Sequence, residues 1–269
     1  MLAGGFQEVL LLVGLGTIIA VVSSMAGIGG GVFMVPLFYS MGYPINVAVG
    51  TSKFVIVFIS LLSSLTYSKA GKVDKALGLV LMTSMAPGGY IGAVAVARIN
   101  SRVLEALVGA LILYYSVRLL SRGLKDRLAG ATANGDMGAE NPSNLPGLPK
   151  GKAWTLTSSS LAGFMTGIVA GLTGTGGGAL LVPFMVSILG MRIHEAVATS
   201  MYSMLLAAAT AVVGHYQNGD INPAIGLPLA LGALIGAIVG PRMAVKLSPS
   251  MLRIVVGSIL ALIGIRLIV

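Results

Sequence analysis

The chain has 269 residues, of which 56% are hydrophobic and 9% charged, and its formal net charge is +9. Such a low charged fraction excludes an ordinary water-soluble domain, in which about 25% of residues are charged. The absence of cysteine excludes disulfides and thiolate metal sites. We therefore predict an all-α, polytopic membrane protein. The positive charge is interpreted as basic residues in cytoplasmic loops rather than as a nucleic-acid or polybasic lipid-binding site.

Apolar segments follow one another along the chain, five before a polar stretch and five after it. The first five cover 6–25, 32–43, 45–68, 76–97 and 102–121. The second five cover 155–172, 179–191, 194–215, 222–245 and 251–269. Most of them are long enough to cross about 30 Å of hydrocarbon as helices. We divide the chain into a first transmembrane repeat at 1–121, a polar linker at 122–153 and a second transmembrane repeat at 154–269.

The two halves repeat one sequence pattern. GIGGG at 27–31, followed by Val-Pro, returns 147 positions later as GTGGG, again followed by Val-Pro. AVGTS at 48–52 returns 148 positions later as AVATS. Internal repeats in a very apolar chain, each opening with a glycine break, are typical of membrane transporters.

The second segment of each repeat is too short to cross the bilayer as a helix alone. Val32 to Gly42 would span about 16 Å as a helix. The preceding stretch, Ala26–Gly31, would add about 20 Å if extended. Together they would cross once, as an unwound glycine strand followed by a half-helix. Alternatively, this piece is a re-entrant hairpin that enters the bilayer and returns on the same side.

The distribution of Lys and Arg favours the crossing. With five crossings per repeat the repeats are inverted, and the basic residues outside are Arg98, Arg102 and Arg266. With four crossings, six basic residues fall outside: Arg98, Arg102, Arg192, Arg242, Lys246 and Arg253. Because basic residues gather in the cytoplasm, we predict an inverted five-plus-five bundle with glycine-broken short helices. Its N-terminus lies outside and its 122–153 loop lies in the cytoplasm.

The glycine runs are the first candidate binding site. Irregular backbone inside a bilayer is tolerated only where it is buried in protein or lines a wet cavity. A half-helix that begins after the glycines presents unpaired N–H groups, which favour an anion. Close helix packing at small residues is the alternative, and a nucleotide phosphate loop lacks its Lys-Ser or Lys-Thr. The predicted anion-binding residues here are Gly29, Gly30, Gly31, Thr175, Gly176, Gly177 and Gly178.

The second candidate is Thr51-Ser52-Lys53, matched in the second half by Thr199-Ser200-Met201. Lys53 lies about eight residues inside the third segment, where a buried ammonium marks a substrate pathway or counter-ion. The four hydroxyls, of Thr51, Ser52, Thr199 and Ser200, would donate to an oxyanion. Alternatively, Lys53 snorkels to an interface and the hydroxyls bond to their own helices.

Other polar residues carry weaker signals. Asn46, His194 and Glu195 are interpreted as helix caps. Tyr67 and His215, at matched positions, are interpreted as interfacial anchors, with a gating or proton-carrying role as the alternative. No acid falls at the middle of a segment, so coupling through Lys53, through sodium or through no ion stays open. Without a nucleophile–base pair, paired acids or metal ligands, we predict no enzyme, no cofactor and no metal.

The doubled glycine, Val-Pro and Thr-Ser pattern carries a family resemblance. AGIGGGVFMVPLFYSMGYPINVAVGTS and GLTGTGGGALLVPFMVSILGMRIHEAVATS together resemble the sulfite exporter TauE/SafE family of membrane permeases. The resemblance covers nearly the whole chain outside the linker. It implies transport of small sulfur-containing anions, such as sulfite, sulfonates or sulfoacetate, across the prokaryotic cytoplasmic membrane.

The prediction is therefore a permease that moves a small organic or inorganic sulfur anion by alternating access of its two repeats. Its other partner is the lipid bilayer, nucleic acid is not a partner, and assembly into a homo-oligomer stays open. A passive anion channel is one alternative function. A sulfur-delivery or assembly component that acts with a soluble partner at the 122–153 loop is another.

Overall fold

The structure is a computed structural model that describes residues 5–96, 98–99 and 152–244, with isolated positions between 103 and 125 and at 246 and 254. The predicted segments 102–121 and 251–269, and most of the 122–153 linker, lie outside the described residues. The linker's end is helical, because the next helix begins at Lys152.

All regular structure in the described residues is helical. The helices are α1 Phe6–Ala26, α2 Gly31–Ser40, α3 Ile45–Lys69, α4 Lys75–Val96, α5 Lys152–Thr173, α6 Gly178–Ser187, α7 Ile193–Gln217 and α8 Pro223–Ala244. Six of them, all except α2 and α6, are long and apolar enough to cross a membrane. The all-α, multi-pass class predicted from composition is confirmed.

The two short segments form helices of ten residues each, about 15 Å long. They begin at Gly31 and Gly178 and end earlier than the apolar segments that predicted them. The residue before each start, Gly30 or Gly177, has a left-handed backbone with φ of 86° or 92°. Side chains other than hydrogen rarely adopt this conformation, so glycine is needed where each short helix begins.

The helix pairs that join the two halves pack through glycine. Gly16 of α1 lies against the backbone of Leu229 in α8, and Gly240 farther along α8 lies against Val21. Because the contacting residue numbers rise together, α1 and α8 run parallel. Close approach of backbones at small residues is the usual way for helices to associate in a membrane.

The pair formed by α4 and α5 repeats this arrangement. Gly88 of α4 lies against the carbonyl of Phe164, and Gly92 one turn later lies against the carbonyl of Ile168. These two helices are therefore parallel as well. The first helix of each half thus packs along the fourth helix of the other half.

The long central helices, α3 and α7, make the remaining contacts between the halves. Ser63 of α3 donates to the carbonyl of Ala237 in α8 at 3.2 Å, and Gly226, at the start of α8, packs against Phe54. This order makes α3 and α8 parallel. The helices α7 and α4 are parallel too, since Ser203 and Thr210 donate to the carbonyls of Gly78 and Ala86, respectively.

Candidate functional site

The two glycine breaks contact each other between α3 and α7. A Cβ atom added to Gly31 would overlap the carbonyl oxygen of Gly174. Reciprocally, a Cβ added to Gly178 would overlap the carbonyl oxygen of Gly27. The two main chains approach this closely only because neither position carries a side chain. We call this contact, formed by residues 27–31 and 174–178, the glycine crossing.

The middle glycines of the two breaks face each other at the glycine crossing. A Cβ on Gly29 would lie 3.3 Å from the Cα of Gly176 and 3.0 Å from the sulfur of Met204. Both glycines have left-handed backbones, with φ of 89° and 93°. The predicted glycine runs are therefore brought together in space, with the buried Met204 of α7 against them.

The two predicted serines bond across the glycine crossing. Ser52 of α3 donates to the carbonyl of Gly174 at 3.1 Å, and Ser200 of α7 donates to the carbonyl of Gly27 at 2.8 Å. Each hydroxyl also lies within hydrogen-bond distance of a carbonyl of its own helix. A hydroxyl has one proton to donate, so each serine shares its proton between a carbonyl of the break and a carbonyl of its own helix, and thereby links the break to the central helix.

The two predicted threonines accept hydrogen bonds from matched turns. The Thr51 hydroxyl accepts from the N–H of Asn222 at 2.9 Å, in the turn before α8. The Thr199 hydroxyl accepts from the N–H of Asp74 at 3.0 Å, in the turn before α4. Asp74 and Asn222 are separated by the same 148 positions as the threonines. Both threonines are fully buried, so they tie each central helix to a helix end in the other half.

Thr175 supplies the polar side chain of the second break. Its hydroxyl lies 2.9 Å from the hydroxyl of Thr173, which itself donates to the carbonyl of Val169 at 2.7 Å. Since the Thr173 proton is used on Val169, Thr175 acts as the donor to Thr173. The matched position in the first break is the apolar Ile28, so the two breaks differ in polarity.

Lys53 is buried on α3, next to Ser52, which bonds to the glycine crossing. Its exposed fraction is 1%. Val49, four positions before Lys53, packs against Gly174, and Ile56, three positions after it, packs against Gly31. Residues at these spacings share a helix face. Lys53 is thus buried within the protein; its intramembrane position stays a prediction.

Lys53 has no carboxylate partner in the described part of the chain, where the one ion pair within 4 Å joins His215 to Asp220. Its matched residue in α7 is Met201, which is also fully buried. The central helices that flank the glycine crossing therefore differ at this matched position, with lysine on α3 and methionine on α7.

The interpretation of Asn46 as a helix cap is wrong. The N-cap of α3 is Pro44, with no side-chain cap, and the Asn46 side chain donates to a carboxylate oxygen of Asp220 at 2.6 Å. The N-cap of α7 is Arg192, also without a side-chain cap. The capping interpretation of His194 and Glu195 is therefore wrong too.

His215 and Tyr67 are fully buried rather than anchored at a surface. The ring of His215 lies 3.4 Å from Asp220 through Nδ1 and 3.1 Å from the carbonyl of Gly171 through Nε2. Tyr67 donates to the carbonyl of Ser24 at 2.9 Å. Sequence reasoning missed this cluster, although the repeat offset pairs His215 with Tyr67 and Gly171 with Ser24.

Removing one serine hydroxyl should destabilise the glycine crossing. In Ser52→Ala or Ser200→Ala, a buried carbonyl of the break loses its donor, which costs about 1–3 kcal/mol. We expect thermal unfolding in detergent to show this loss for each variant. Ser40→Ala is the control, because its exposed hydroxyl bonds within its own helix. Equal melting temperatures for all three variants would contradict a structural role for the serine bonds.

Comparisons with known proteins agree with this architecture. The family model described as Sulfite exporter TauE/SafE matches residues 12–267. YunE, a probable membrane transporter protein of Bacillus subtilis, is 32% identical over 266 residues, which cover 96% of each chain. A probable membrane transporter protein of Methanocaldococcus jannaschii is 25% identical over 94% of this chain and 93% of its own. No solved structure gives a significant match.

The names of these relatives describe membrane transporters, which are not enzymes. The family model covers almost the whole chain, and the described helices include six candidate membrane spans. The protein is a multi-pass membrane transporter, and it belongs to the sulfite exporter TauE/SafE family.

Proposed function

We propose that this protein carries a small sulfur-containing anion, of the sulfite, sulfonate or sulfoacetate type, through a site at the glycine crossing. The observation that carries this proposal is the burial of Lys53 on α3, the helix whose Val49 and Ile56 contact the two glycine breaks from different halves of the chain. A buried cation without a carboxylate is costly in a membrane. An anionic substrate would compensate its charge.

The short helices α2 and α6 support an anion site at the same place. Both begin at the glycine crossing, and no side chain caps either start. The first N–H groups of a helix have no partner within it and carry the positive end of its dipole. An anion between these helix starts and Lys53 would be bound by main-chain N–H groups, as at other helix N-termini.

The site includes the residues predicted from sequence, with a division of roles. Lys53 and the N–H groups that follow Gly30 and Gly177 would contact the anion. Ser52, Ser200, Thr51 and Thr199 would hold the breaks in place, as their present hydrogen bonds suggest. Thr175, whose proton is donated to Thr173, would hold the second break in place. The sulfur chemistry of the substrate rests on the family description.

We infer an inverted five-plus-five repeat with the divisions 1–121, 122–153 and 154–269. The parallel pairs support it: α1 and α3 are both parallel to α8, so the first break and α2 must return the chain to the side where α1 began. By the same contacts α5, parallel to α4, runs against α1. Placing the N-terminus outside and the linker inside a prokaryotic cytoplasmic membrane puts most Lys and Arg in the cytoplasm.

Alternating access would follow from this arrangement. Each half supplies one break and one central helix, so movement of one half against the other would open the glycine crossing first to one side and then to the other. The reciprocal bonds of Ser52 and Ser200 would have to change during this movement. A homo-oligomer is compatible with this mechanism and is not required by it.

Counterflow in proteoliposomes tests the carrier function. Vesicles loaded with unlabelled sulfite or sulfoacetate should accumulate the labelled anion transiently, and initial rates should saturate. A passive channel would give flux that does not saturate and no counterflow. Either of these channel results would overturn the carrier proposal.

Removal of most of the 122–153 loop separates a carrier from a partner-dependent protein. A variant that lacks 128–148 should keep its counterflow rate within about twofold, because the proposed site lies in the membrane helices. The same assay with the full-length chain is the reference. Complete loss of flux in a folded deletion variant would favour the sulfur-delivery alternative.

A further inference from the structure

His215 and Asp220 form a buried ionisable pair that the proposed anion site does not use. His215 is fully buried and the exposed fraction of Asp220 is 3%. The second oxygen of the carboxylate accepts from Asn46 at 2.6 Å. Ionisable groups withdrawn from water in a transporter are candidates for proton binding.

The geometry of the ring determines how many protons the pair holds. Nε2 of His215 faces the carbonyl of Gly171 and Nδ1 faces the carboxylate of Asp220. A carbonyl and an ionised carboxylate only accept hydrogen bonds. A neutral histidine ring carries a proton on only one of its two nitrogens. The other nitrogen then points its lone pair at an oxygen that cannot donate, which is unfavourable. One additional proton, held between Nδ1 and the carboxylate, satisfies both contacts.

The pair joins three helix ends at one face of the bundle. Gly171 lies near the end of α5, three positions before Gly174 of the glycine crossing. Asp220 lies in the turn between α7 and α8, and its carbonyl lies so close to Gly50 of α3 that a Cβ there would overlap it. We call His215, Asp220 and Asn46, with the Gly171 carbonyl, the His–Asp latch.

The equivalent contact in the first half, between Tyr67 and Ser24, forms without an additional proton. Tyr67 donates to the carbonyl of Ser24, as the ring of His215 bonds to Gly171. The N–H of Lys72 bonds back to the Tyr67 carbonyl at 3.1 Å, as the N–H of Asp220 bonds back to His215 at 2.9 Å. A phenol makes its bond with its own proton and needs no carboxylate. The two equivalent positions therefore differ in proton requirement.

We propose that the His–Asp latch binds a proton that closes one face of the transporter and thereby couples anion movement to proton movement. This inference rests on the proposed carrier function. With the proton bound, the bond between Nδ1 and the carboxylate links the contact of His215 with Gly171 of α5 to the contact of Asp220 with Asn46 of α3. Its release to water on that side leaves the Nδ1 lone pair against the carboxylate, and this repulsion between His215 and Asp220 weakens the link between α5 and α3 and favours opening of this face. The other face, closed by Tyr67, does not depend on a proton.

The other ionisable groups around the latch are few. At this end of the bundle, the described residues of α5 and α6 include no ionisable side chain. In α7 the nearest one is Tyr216, which is mostly exposed. The remaining groups at this end of the described helices are Glu8 on α1, Tyr39 on α2, Tyr43 before α3, and Tyr90 and Arg98 at the end of α4. Tyr90 is engaged with Gln217 at 3.0 Å. On α3, Lys53 lies one turn after Gly50, which packs against Asp220. We assign the exchangeable proton to His215 and Asp220 because their side chains face each other at the helix ends, and the test below separates them from Lys53.

Nuclear magnetic resonance of the histidine rings tests proton binding without any substrate. The chain has two histidines, so ¹⁵N-histidine labelling in lipid gives two rings, and His194→Gln assigns them. We expect the nitrogens of His215 to report one titrating proton shared with Asp220, and Asp220→Asn to abolish that step. A His215 ring whose two nitrogen shifts stay the same at every pH at which the protein is folded would overturn the latch.

Transport of His215→Tyr tests the coupling. Tyrosine is the residue at the matched position, and its hydroxyl can replace the bond to Gly171 without the second nitrogen. We expect saturable anion counterflow within about twofold of wild type, while anion-driven pH change inside the vesicles, read by pyranine, falls to the level of empty liposomes. Tyr67→Phe is the matched control and should keep proton movement. His215→Gln serves as the second variant if His215→Tyr unfolds.

The outcomes separate the two proposals. Wild-type protein that shows counterflow but moves no protons would overturn the coupling and leave the carrier function intact. Proton movement in His215→Tyr equal to that of wild type would also overturn it. Wild-type protein without counterflow would overturn the carrier function and, with it, the coupling, while the ring titration decides proton binding by itself.

Discussion

Gly31→Ala should abolish transport and lower the stability of the protein by about 3 kcal/mol, at the upper end of the usual cost of overpacking. The added methyl group would overlap the carbonyl oxygen of Gly174. That carbonyl cannot move away freely, because Ser52 donates to it. Gly178→Ala should have the same effect through the carbonyl of Gly27. Thermal unfolding in detergent and counterflow in proteoliposomes would measure the two losses.

Gly14→Ala is the matched control for these variants. Gly14 lies inside α1, and nothing lies within 4 Å of a Cβ added there. Alanine is favoured over glycine inside a helix by about 1 kcal/mol, so stability should stay equal or rise. If Gly31→Ala and Gly178→Ala behaved like Gly14→Ala, the close contact of the two breaks would be contradicted.

Lys53→Met should remove anion transport and at the same time stabilise the empty protein. Methionine is the residue at the matched position 201 and fills a buried site there. Loss of hydrogen bonds from a charged donor costs about 1.5–3 kcal/mol, which corresponds to roughly 10- to 100-fold in affinity. A buried ammonium without a carboxylate destabilises the folded protein because it has been removed from water, and an apolar side chain at the same place has no such cost. Each kcal/mol gained should raise the melting temperature by roughly 2–4 °C.

The opposite signs make this prediction specific. A lysine with a purely structural role would give lower stability and lower flux together when removed. Lys69→Met is the control, since Lys69 lies exposed at the end of α3 and should change neither quantity. Unchanged saturable flux in Lys53→Met would remove this residue from the site.

Sequence alone predicts much of the helical architecture. The predicted segments 45–68 and 6–25 differ from α3 and α1 by one residue at one end. Apolar length decides these boundaries, and it is visible locally. The short helices were also expected, because eleven apolar residues cannot span a bilayer. Their starts at Gly31 and Gly178 follow from the glycine runs.

The polar contacts could not be predicted in the same way. The partner of Asn46 lies 174 positions away, so capping was the simplest local interpretation. His215 falls close to the end of its apolar segment, where a surface position is expected, yet neighbouring helix ends cover it. Whether a polar residue near a helix end is exposed depends on which helices pack there, and that is a property of the tertiary fold.

In the proposed mechanism one anion binds at the glycine crossing near Lys53. The most direct test is calorimetric titration, in lipid nanodiscs, of the anion that shows counterflow. Wild type, Lys53→Met and the double variant Lys53→Met/Met201→Lys would be compared. We expect one anion per wild-type chain, affinity at least about 10-fold weaker without the lysine, and recovery when the lysine is moved to the matched position. Wild-type affinity in Lys53→Met would contradict this mechanism.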